Sequence, residues 1–290
     1  IYLSSMTMNH TSRYYNRTGQ QIDALVSFAN LGSDTYAMLH THRNMYGSVI
    51  LDSGAYTDQN SFTKVDIDEY IDYIKVAGPS YDFYITLDSD FSDYRFSPDN
   101  LENLIKMERA GLHPVPVIHC LYPSDEIDYY IDRQYPIVAL GSSKAKDLDE
   151  LKYVFGKFEK YPHVKIHVFG TTSYASLIEV PAYSSDASSW TKQASSGNIL
   201  WWNPEADGKD KTERIYVGGR MSMKKKPKNH FTLYGFRKQL EKYLYDTFQL
   251  TYEDLLGLEE DYNRQVVCMH YYNELAKRIT EEHRKKGFIP

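Results

Sequence analysis

The chain has 290 residues, enough for one large α/β domain or two small ones, and its 42% hydrophobic and 25% charged residues are those of an ordinary globular protein. Its net charge of −6 argues against binding of nucleic acid by the whole surface, and no apolar run approaches the roughly 20 residues of a membrane span. The two cysteines, Cys120 and Cys268, exclude a multi-cysteine zinc site and suggest no disulfide framework.

Short β-like runs alternate with helical patterns along the first 220 residues. In chain order we predict strands at 1–5, 48–54, 81–88, 114–120, 136–142, 164–170, 182–190 and 214–219, and helices at 19–32, 65–78, 97–111, 122–134, 147–161 and 173–180. The helix at 19–32 is predicted because four apolar residues share one face at helical spacing: Ile22, Leu25, Val26 and Ala29.

This alternation, with about eight repeats, is typical of a (β/α)₈ barrel of the TIM type, which is the α/β fold that we predict. An open doubly wound sheet is the alternative, although no G-x-G-x-x-G motif follows the first strand. Residues 191–212 have poor periodicity and are interpreted as an excursion before the last strand. From about residue 230 the pattern is helical. We therefore predict a catalytic barrel at 1–229 and a helical extension at 230–290, packed on the barrel.

Three predicted strands end in a carboxylate, namely Asp52, Asp88 and Asp186. Active-site groups of a (β/α)₈ barrel lie at the carboxyl ends of its strands, so these side chains would converge at one opening. Converging carboxylates suit cleavage at an anomeric carbon, where one attacks C1′ and another transfers the proton of the departing base. An aspartate before serine or glycine is also common in turns, and an Asp/Asp/His set is able to bind Mg²⁺ or Mn²⁺, although no tight ligand spacing favours a metal.

Basic residues are concentrated despite the acidic balance. The segment MSMKKKPKNH at 221–230 has no acidic residue, and a second basic cluster lies at 283–287. Such residues are suited to phosphate contacts, whereas an ordinary solvated surface is the alternative. The candidate nucleic-acid contacts are Lys224, Lys225, Lys226, Lys228, Arg13 and Arg17.

Six segments occur in a recognisable order: LDSGAYT, YITLDSD, GLHPVPVIHC, IVALGSS, VKIHVFGTTS and YSSDASSW. Together they resemble the tRNA-guanine transglycosylase superfamily, and most of all its shorter phage and genomic-island branch. That branch contains the DpdA-type DNA-guanine transglycosylases, which insert 7-deazaguanine bases into DNA. The likeness covers about residues 1 to 220. The LDSG and YSSDASSW segments are each weak alone and fairly specific together.

The resemblance implies a role for each matching position. Asp186 matches the nucleophile that attacks C1′, Asp52 matches the residue that transfers protons to and from the base, and Asp88 matches a carboxylate that binds the guanine Watson–Crick edge. Guanine N1–H and N2–H₂ are donors, so a carboxylate suits that edge. The remaining base-binding positions that we predict are Ser53, Gly54, Tyr56, His119, Gly141, Ser142, Phe169 and Gly170.

Some of these positions have an alternative interpretation. The transglycosylases that act on tRNA carry a glutamine near the position of His119, so that match is loose, and a structural role for His119 is the alternative. Tyr56 and Trp190 lie beside the key aspartates, where they would stack on a flipped base or line the pocket, with core packing as the alternative. We expect no cofactor and no bound metal.

The chain departs from the tRNA enzymes because two cysteines cannot build their zinc subdomain. The resemblance therefore implies DNA rather than tRNA as substrate, with a preQ0-like 7-deazaguanine as co-substrate, and a duplex base would have to leave the stack. We expect a cytoplasmic protein with no membrane partner, in the host bacterial cytoplasm if it is phage-encoded. The alternatives are an N-glycosidase or nucleoside hydrolase on the same scaffold, a tRNA-directed enzyme, and a non-catalytic nucleic-acid-binding protein. Oligomeric state is left open.

Overall fold

The computed structural model describes residues 1–58, 64–142, 147–218, 228–256 and 260–288. Its central feature is a curled sheet of eight parallel strands. These strands are β1 (Tyr2–Ser4), β2 (Ile22–Ser27), β3 (Tyr46–Asp52), β4 (Phe83–Tyr84), β5 (Val117–Ile118), β6 (Ile137–Leu140), β7 (Lys165–Val168) and β8 (Ser184–Ala187).

Helices connect and cover the strands. They are α1 (Met8–Thr18), α2 (Thr35–Leu39), α3 (Ala55–Asp58), α4 (Ile67–Ala77), α5 (Pro98–Arg109), α6 (Asp125–Asp132), α7 (Leu148–Lys157), α8 (Tyr174–Leu177), α9 (Ser189–Ser195), α10 (Arg237–Phe248) and α11 (Glu260–Lys286). Capping residues in the sequence determine where several of these helices begin. The Ser97 hydroxyl accepts the Asn100 amide before Pro98, the first residue of α5, so that helix begins where the sequence predicts.

The strand order is β4-β3-β2-β1-β8-β7-β6-β5, so the first and the eighth strands are neighbours in the middle of the sheet. Tyr2 of β1 lies in register with Asp186 of β8. Beyond the two outermost strands, Ile85 and Val115 form a parallel bridge. The Val115 amide donates to the Tyr84 carbonyl at 2.8 Å, and the Thr86 amide donates to the Val115 carbonyl at 2.9 Å. Backbone hydrogen bonds therefore also link the chain after β4 to the chain before β5.

Alternate residues of the strands belong to different cores, as the two-residue period of a strand requires. One set packs against the helices and includes Leu3, Val49 and Leu51. The other set forms small clusters that consist of strand residues: Tyr2, Leu25, Ile50, Ile85, Val115, Val117 and Ala139, with Phe83 and Phe169 packed against them. Asp52 is two residues from Ile50, and Asp186 pairs laterally with Tyr2. Both carboxylates thus lie on the face that the second set occupies.

Two predicted elements are wrong. The helix predicted at 19–32 is the strand β2, because a strand buried on both faces carries consecutive apolar residues that also satisfy a helical period. The predicted eighth strand at 214–219 lies outside the eight-stranded sheet. In its place β10 (Thr212–Tyr216) pairs antiparallel with β9 (Asn198–Trp202). The helix α1 was not predicted, since its exposed face is polar and its buried residues are Thr11 and Tyr14.

The C-terminal helices pack on this framework. The long helix α11 contacts α1, α9 and β9. Its buried Arg264 donates from Nε to the Ala194 carbonyl at 2.7 Å and from Nη1 to the Leu255 carbonyl at 2.8 Å, which joins α11 to α9. Among the helices of the described ranges, none has the length and apolar composition needed to cross a membrane.

Candidate active site

Three aspartates lie at the edge of the sheet where its parallel strands end. Asp52 is the last residue of β3, Asp186 lies in β8, and Asp88 follows β4 by four residues. Burial raises the pKa of Asp52 to about 7, although the Gly54 amide opposes the shift, and the negative charges of Asp186 and Asp88 add to it. The other two carboxylates are therefore close enough to Asp52 for their charges to oppose its ionisation.

A tight turn after β3 holds Asp52. The Gly54 amide donates to Asp52 Oδ2 at 2.9 Å, and Gly54 has a φ of +81°, which side-chain-bearing residues rarely adopt. A Cβ at Gly54 would lie 2.2 Å from Ser27 Oγ and 2.7 Å from the Ala29 Cβ. The neighbouring Ser53 is buried, and its carbonyl accepts the Ala29 amide at 3.2 Å. The LDSG segment thus needs its glycine in order to place the Asp52 carboxylate.

Asp186 is oriented from the neighbouring strand. The Gly170 amide, just after β7, donates to Asp186 Oδ1 at 2.7 Å, and the aspartate side chain is 13% exposed. The same oxygen lies 3.8 Å from Nε2 of His167, which is fully buried in β7. Burial lowers the pKa of His167 to about 3, so its imidazole is neutral at pH 7. Asp186 therefore stands between a backbone donor and a neutral histidine, within reach of solvent.

Asp88 forms part of a buried polar chain. His119 Nε2 lies 3.0 Å from Asp88 Oδ2, and both side chains are less than a tenth exposed. Burial lowers the pKa of His119, but the Asp88 carboxylate outweighs it and raises that pKa above its ordinary value. Glu126 of α6 accepts the amides of His119 and Cys120 at 2.8 and 2.6 Å. Burial raises the pKa of Glu126 to about 7. The His119 ring is thus fixed both by Asp88 and through its own backbone.

The remaining predicted base-binding residues surround this chain to different degrees. A Cβ at Gly141 would lie 2.7 Å from Val117 Cγ1 and 3.0 Å from His119 Cε1, so the His119 ring packs directly over that glycine. Ser142 is buried, and the Phe169 ring meets the His167 ring edge-on at 4.7 Å. The structure therefore brings Gly141 and Phe169 against two histidines of the site.

An aromatic row leads from the surface to His119. The Tyr56 side chain is 72% exposed, and its ring meets Phe91 edge-on at a centroid distance of 5.4 Å. Phe91 in turn meets the His119 ring at 5.3 Å. The Tyr56 side chain is therefore available at the rim of the site, although no prediction was made for Phe91.

Several predicted residues lie elsewhere. The Trp190 side chain is fully buried and donates to the Ser4 carbonyl at 2.9 Å, so it belongs to the core and does not line a pocket. Arg17 donates to the Phe248 carbonyl and to Asn263 Oδ1, and thereby ties α1 to the C-terminal region. Arg13 bonds Asn9 Oδ1 and lies over the Tyr262 ring. Lys228 is exposed, whereas Lys224, Lys225 and Lys226 lie outside the described residues.

Sequence reasoning missed His167, Glu126 and Phe91. A histidine inside the apolar run VKIHVFG was the one available signal for the first, because a polar residue within a buried strand needs a partner. Glu126 and Phe91 lie in polar segments that carry no such signal. Over the described ranges, no group of three or more His, Cys, Asp or Glu side chains is placed to hold a metal ion.

The chain matches no family model, and no curated protein matches its sequence. The features that bear on function are therefore the geometry of the three carboxylates and the resemblance of the sequence segments that carry them.

Proposed function

We propose that the protein is a base-exchanging enzyme, a DNA-guanine transglycosylase that replaces guanine in DNA by a 7-deazaguanine base. The observation that supports this most is the pair Asp52 and Asp186, two carboxylates at one edge of a parallel sheet in different surroundings. Asp52 has a pKa of about 7, which suits proton transfer near neutral pH, whereas Asp186 is oriented by an amide and remains accessible.

The fold in this proposal is a closed (β/α)₈ barrel with a helical extension. The bridge between Ile85 and Val115, with its two backbone hydrogen bonds, links the outermost strands β4 and β5. The clusters that consist of strand residues are what the filled interior of such a barrel contains. Closure would aim Asp52, Asp88 and Asp186 at one opening.

The first displacement releases guanine. An Asp186 oxygen attacks C1′, the C1′–N9 bond breaks, and its electron pair leaves with the base. Asp52 is partly protonated near pH 7, and it donates its proton to a ring nitrogen of the departing guanine. The product of this half-reaction is an ester between Asp186 and the sugar, with Asp52 ionised.

The second displacement reverses these bonds. The incoming 7-deazaguanine gives its N9 proton to the Asp52 carboxylate, and N9 attacks C1′ while the ester bond to Asp186 breaks. Asp52 is again protonated and Asp186 is again a carboxylate. One base has replaced another with no net change in protons or electrons, so the cycle requires no cofactor.

Asp88 is the proposed partner of the guanine edge. One of its oxygens bonds His119, which holds the carboxylate in place and leaves it an acceptor for the N1–H and N2–H₂ donors. The exposed Tyr56 ring lies at the rim, where a base that leaves the helix would stack. His119 thus supports base binding through Asp88.

DNA is proposed over tRNA because two cysteines cannot supply the zinc subdomain with which the tRNA enzymes grip their substrate. The phosphate contacts in this proposal come from the basic segment 221–230, of which Lys228 is exposed. Arg17 makes no part of that grip, since it is engaged with Phe248 and Asn263.

The test is to incubate the protein with guanine-containing DNA and preQ0, with tRNA in parallel, and to digest the washed polymers to nucleosides for mass spectrometry. We expect a deazaguanine deoxynucleoside from DNA, absent with Asp186→Ala. Asp82→Asn, an aspartate at the opposite end of the sheet, is the matched control and retains the activity. Absence of incorporation into both polymers would refute the proposal.

The same assay separates the alternatives. Accumulation of free guanine and abasic sites in the presence of preQ0 would mean that water resolves the ester, as in an N-glycosidase. Salt-sensitive DNA binding with no product, unchanged when Asp52 and Asp186 are both replaced, would instead indicate a binding protein.

A further inference from the structure

His167 is a buried group beside the proposed nucleophile, and the two displacements assign it no task. Its ring is fully buried in β7, and its Nε2 has no hydrogen-bond partner among the described residues. A buried polar nitrogen without a partner is costly, so such atoms are rare in folded proteins. The nearest charged oxygen is Asp186 Oδ1, at 3.8 Å.

The surroundings of the ring fix which nitrogen carries the proton. Nδ1 lies 2.9 Å from Ser184 Oγ, two residues before Asp186 on the same strand. A bare Nε2 lone pair facing a carboxylate would be repelled, whereas an Nε2–H group is attracted to it. The favoured arrangement is therefore a neutral imidazole with its proton on Nε2 and with the Ser184 hydroxyl donating to Nδ1.

Aromatic rings confine the imidazole. Phe169 meets it edge-on at 4.7 Å, and the rings of Tyr2 and Phe83 lie at centroid distances of 6.0 and 6.2 Å. These three side chains keep the ring from turning away, and the imidazole, which is fully buried, covers one side of Asp186 against solvent. Exclusion of water matters in a base exchange, because water that reached the ester would hydrolyse it.

We propose that His167 is a positioning residue for Asp186, whose Nε2–H closes on Oδ1 when the aspartate reacts. This inference rests on the proposed function. Oδ1 already accepts the Gly170 amide, so attack through Oδ2 makes Oδ1 the carbonyl oxygen of the ester. When the ester bond breaks in the second displacement, negative charge returns to Oδ1, and two donors, Gly170 N–H and His167 Nε2–H, stabilise it. His167 transfers no proton and stays neutral throughout.

Replacing His167 by glutamine or by asparagine, whose side-chain amides differ in length, distinguishes a positioning role from simple packing. In His167→Gln the side-chain NH₂ takes the place of Nε2 and faces Asp186, whereas in His167→Asn it takes the place of Nδ1 and faces Ser184. We expect His167→Gln to retain kcat within a few-fold and His167→Asn to lose on the order of 100-fold, with the KM for the incoming base unchanged. Comparable rates for the two variants, or a faster Asn variant, would overturn the inference.

Ser184→Ala provides a second measurement that leaves the buried ring in place. It removes the donor that holds the proton on Nε2, and we expect kcat to fall about tenfold with an unchanged KM. An unchanged kcat would overturn the inference even if the His167 variants did not fold. Wild-type protein that exchanges no base would instead refute the proposed function itself, so the two failures are distinguishable.

Discussion

The two ends of the eight-stranded sheet both carry aspartates, and the two groups are treated differently by their surroundings. At the end where the strands begin, Asp82 accepts hydrogen bonds from Ser48 Oγ at 2.8 Å, from the Val49 amide at 2.7 Å and from Arg43 at 3.3 Å. Asp23 accepts the Ser48 amide at 2.9 Å. These carboxylates are held by donors, which is the pattern of groups that stabilise a fold.

At the end where the strands finish, the three aspartates also have hydrogen-bond partners, but Asp52 lies near the charges of two other carboxylates. The charges of Asp186 and Asp88 add to the effect of burial on Asp52, and over the described ranges neither Asp52 nor Asp88 forms an ion pair with an arginine or a lysine. Keeping such a group costs stability, which natural proteins tolerate at sites of function. The difference between the two ends is therefore the strongest structural reason to locate chemistry at the second end.

The largest expected effect is that of Asp186→Asn. Without an anionic nucleophile the ester cannot form, so we expect base exchange to fall by on the order of 10⁴-fold or more. The measurement is incorporation of preQ0 into DNA, with thermal unfolding recorded alongside. Asp82→Asn, as the control from the other end, should keep its activity per folded molecule. Equal losses in both variants would remove the distinction between the ends.

Asp52→Asn is expected to slow base release by about 10²- to 10⁴-fold, because the leaving base loses its proton donor. In the wild type, release of labelled guanine in a single turnover should slow as the pH rises above about 7, where Asp52 gives up its proton. The variant should lack this dependence. A wild-type profile that is flat around pH 7 would argue against Asp52 as the acid.

The stability of Asp52→Asn tests the same carboxylate without any assay of function. The pKa of Asp52 is raised from 3.8 to about 7 in the folded protein, so the unfolded chain loses this proton first. Stability from this group is therefore present below about pH 4 and is lost as the pH rises through about 7, by at most about 4 kcal/mol. We expect the free energy of unfolding of Asp52→Asn, measured with denaturant and compared with that of the wild type, to be more favourable at pH 8 than at pH 5.

Asp82→Asn should have the smallest effect of these variants. It should lower the free energy of unfolding, whereas Asp52→Asn raises it relative to the wild type at high pH. The variant keeps its shape but loses the charge that Arg43 and the Val49 amide face, and the side chain is 44% exposed. We expect a loss of about 1 kcal/mol in the free energy of unfolding, after screening by solvent. Urea titration at pH 7 measures it. A gain in stability would show that this end, too, holds unfavourable charge.

Much of the sheet and the three carboxylates could be predicted from the sequence, because turn glycines and capping serines mark where strands and helices end. The strand β2 could not, since Ile22, Leu25 and Val26 satisfy helical and buried-strand patterns equally well. The strand β10, which we predicted as the eighth strand of the barrel, has the composition of a sheet strand but pairs antiparallel with β9 instead. Composition specifies a strand, whereas its partner is decided by tertiary packing.

The site shows the same limit. The LDSG and YSSDASSW segments locate Asp52 and Asp186 because their turns need particular residues. His167 and Glu126 could not be assigned, because their importance comes from neighbours on other elements: Asp186 and Ser184 for the first, and the amides after β5 for the second. Sequence patterns predict local geometry, but they do not predict which side chains of different strands come into contact.

The lateral pairing of β1 with β8 has a consequence for how the protein is made. Asp186 lies beside Tyr2, 184 positions earlier in the chain, so the strand that carries the proposed nucleophile joins the sheet only after most of the polypeptide has been synthesised. Contacts this distant in sequence form late and slowly during folding. In the proposed mechanism, a nascent chain that already contains Asp52 and Asp88 therefore lacks its nucleophile until β8 has joined the sheet.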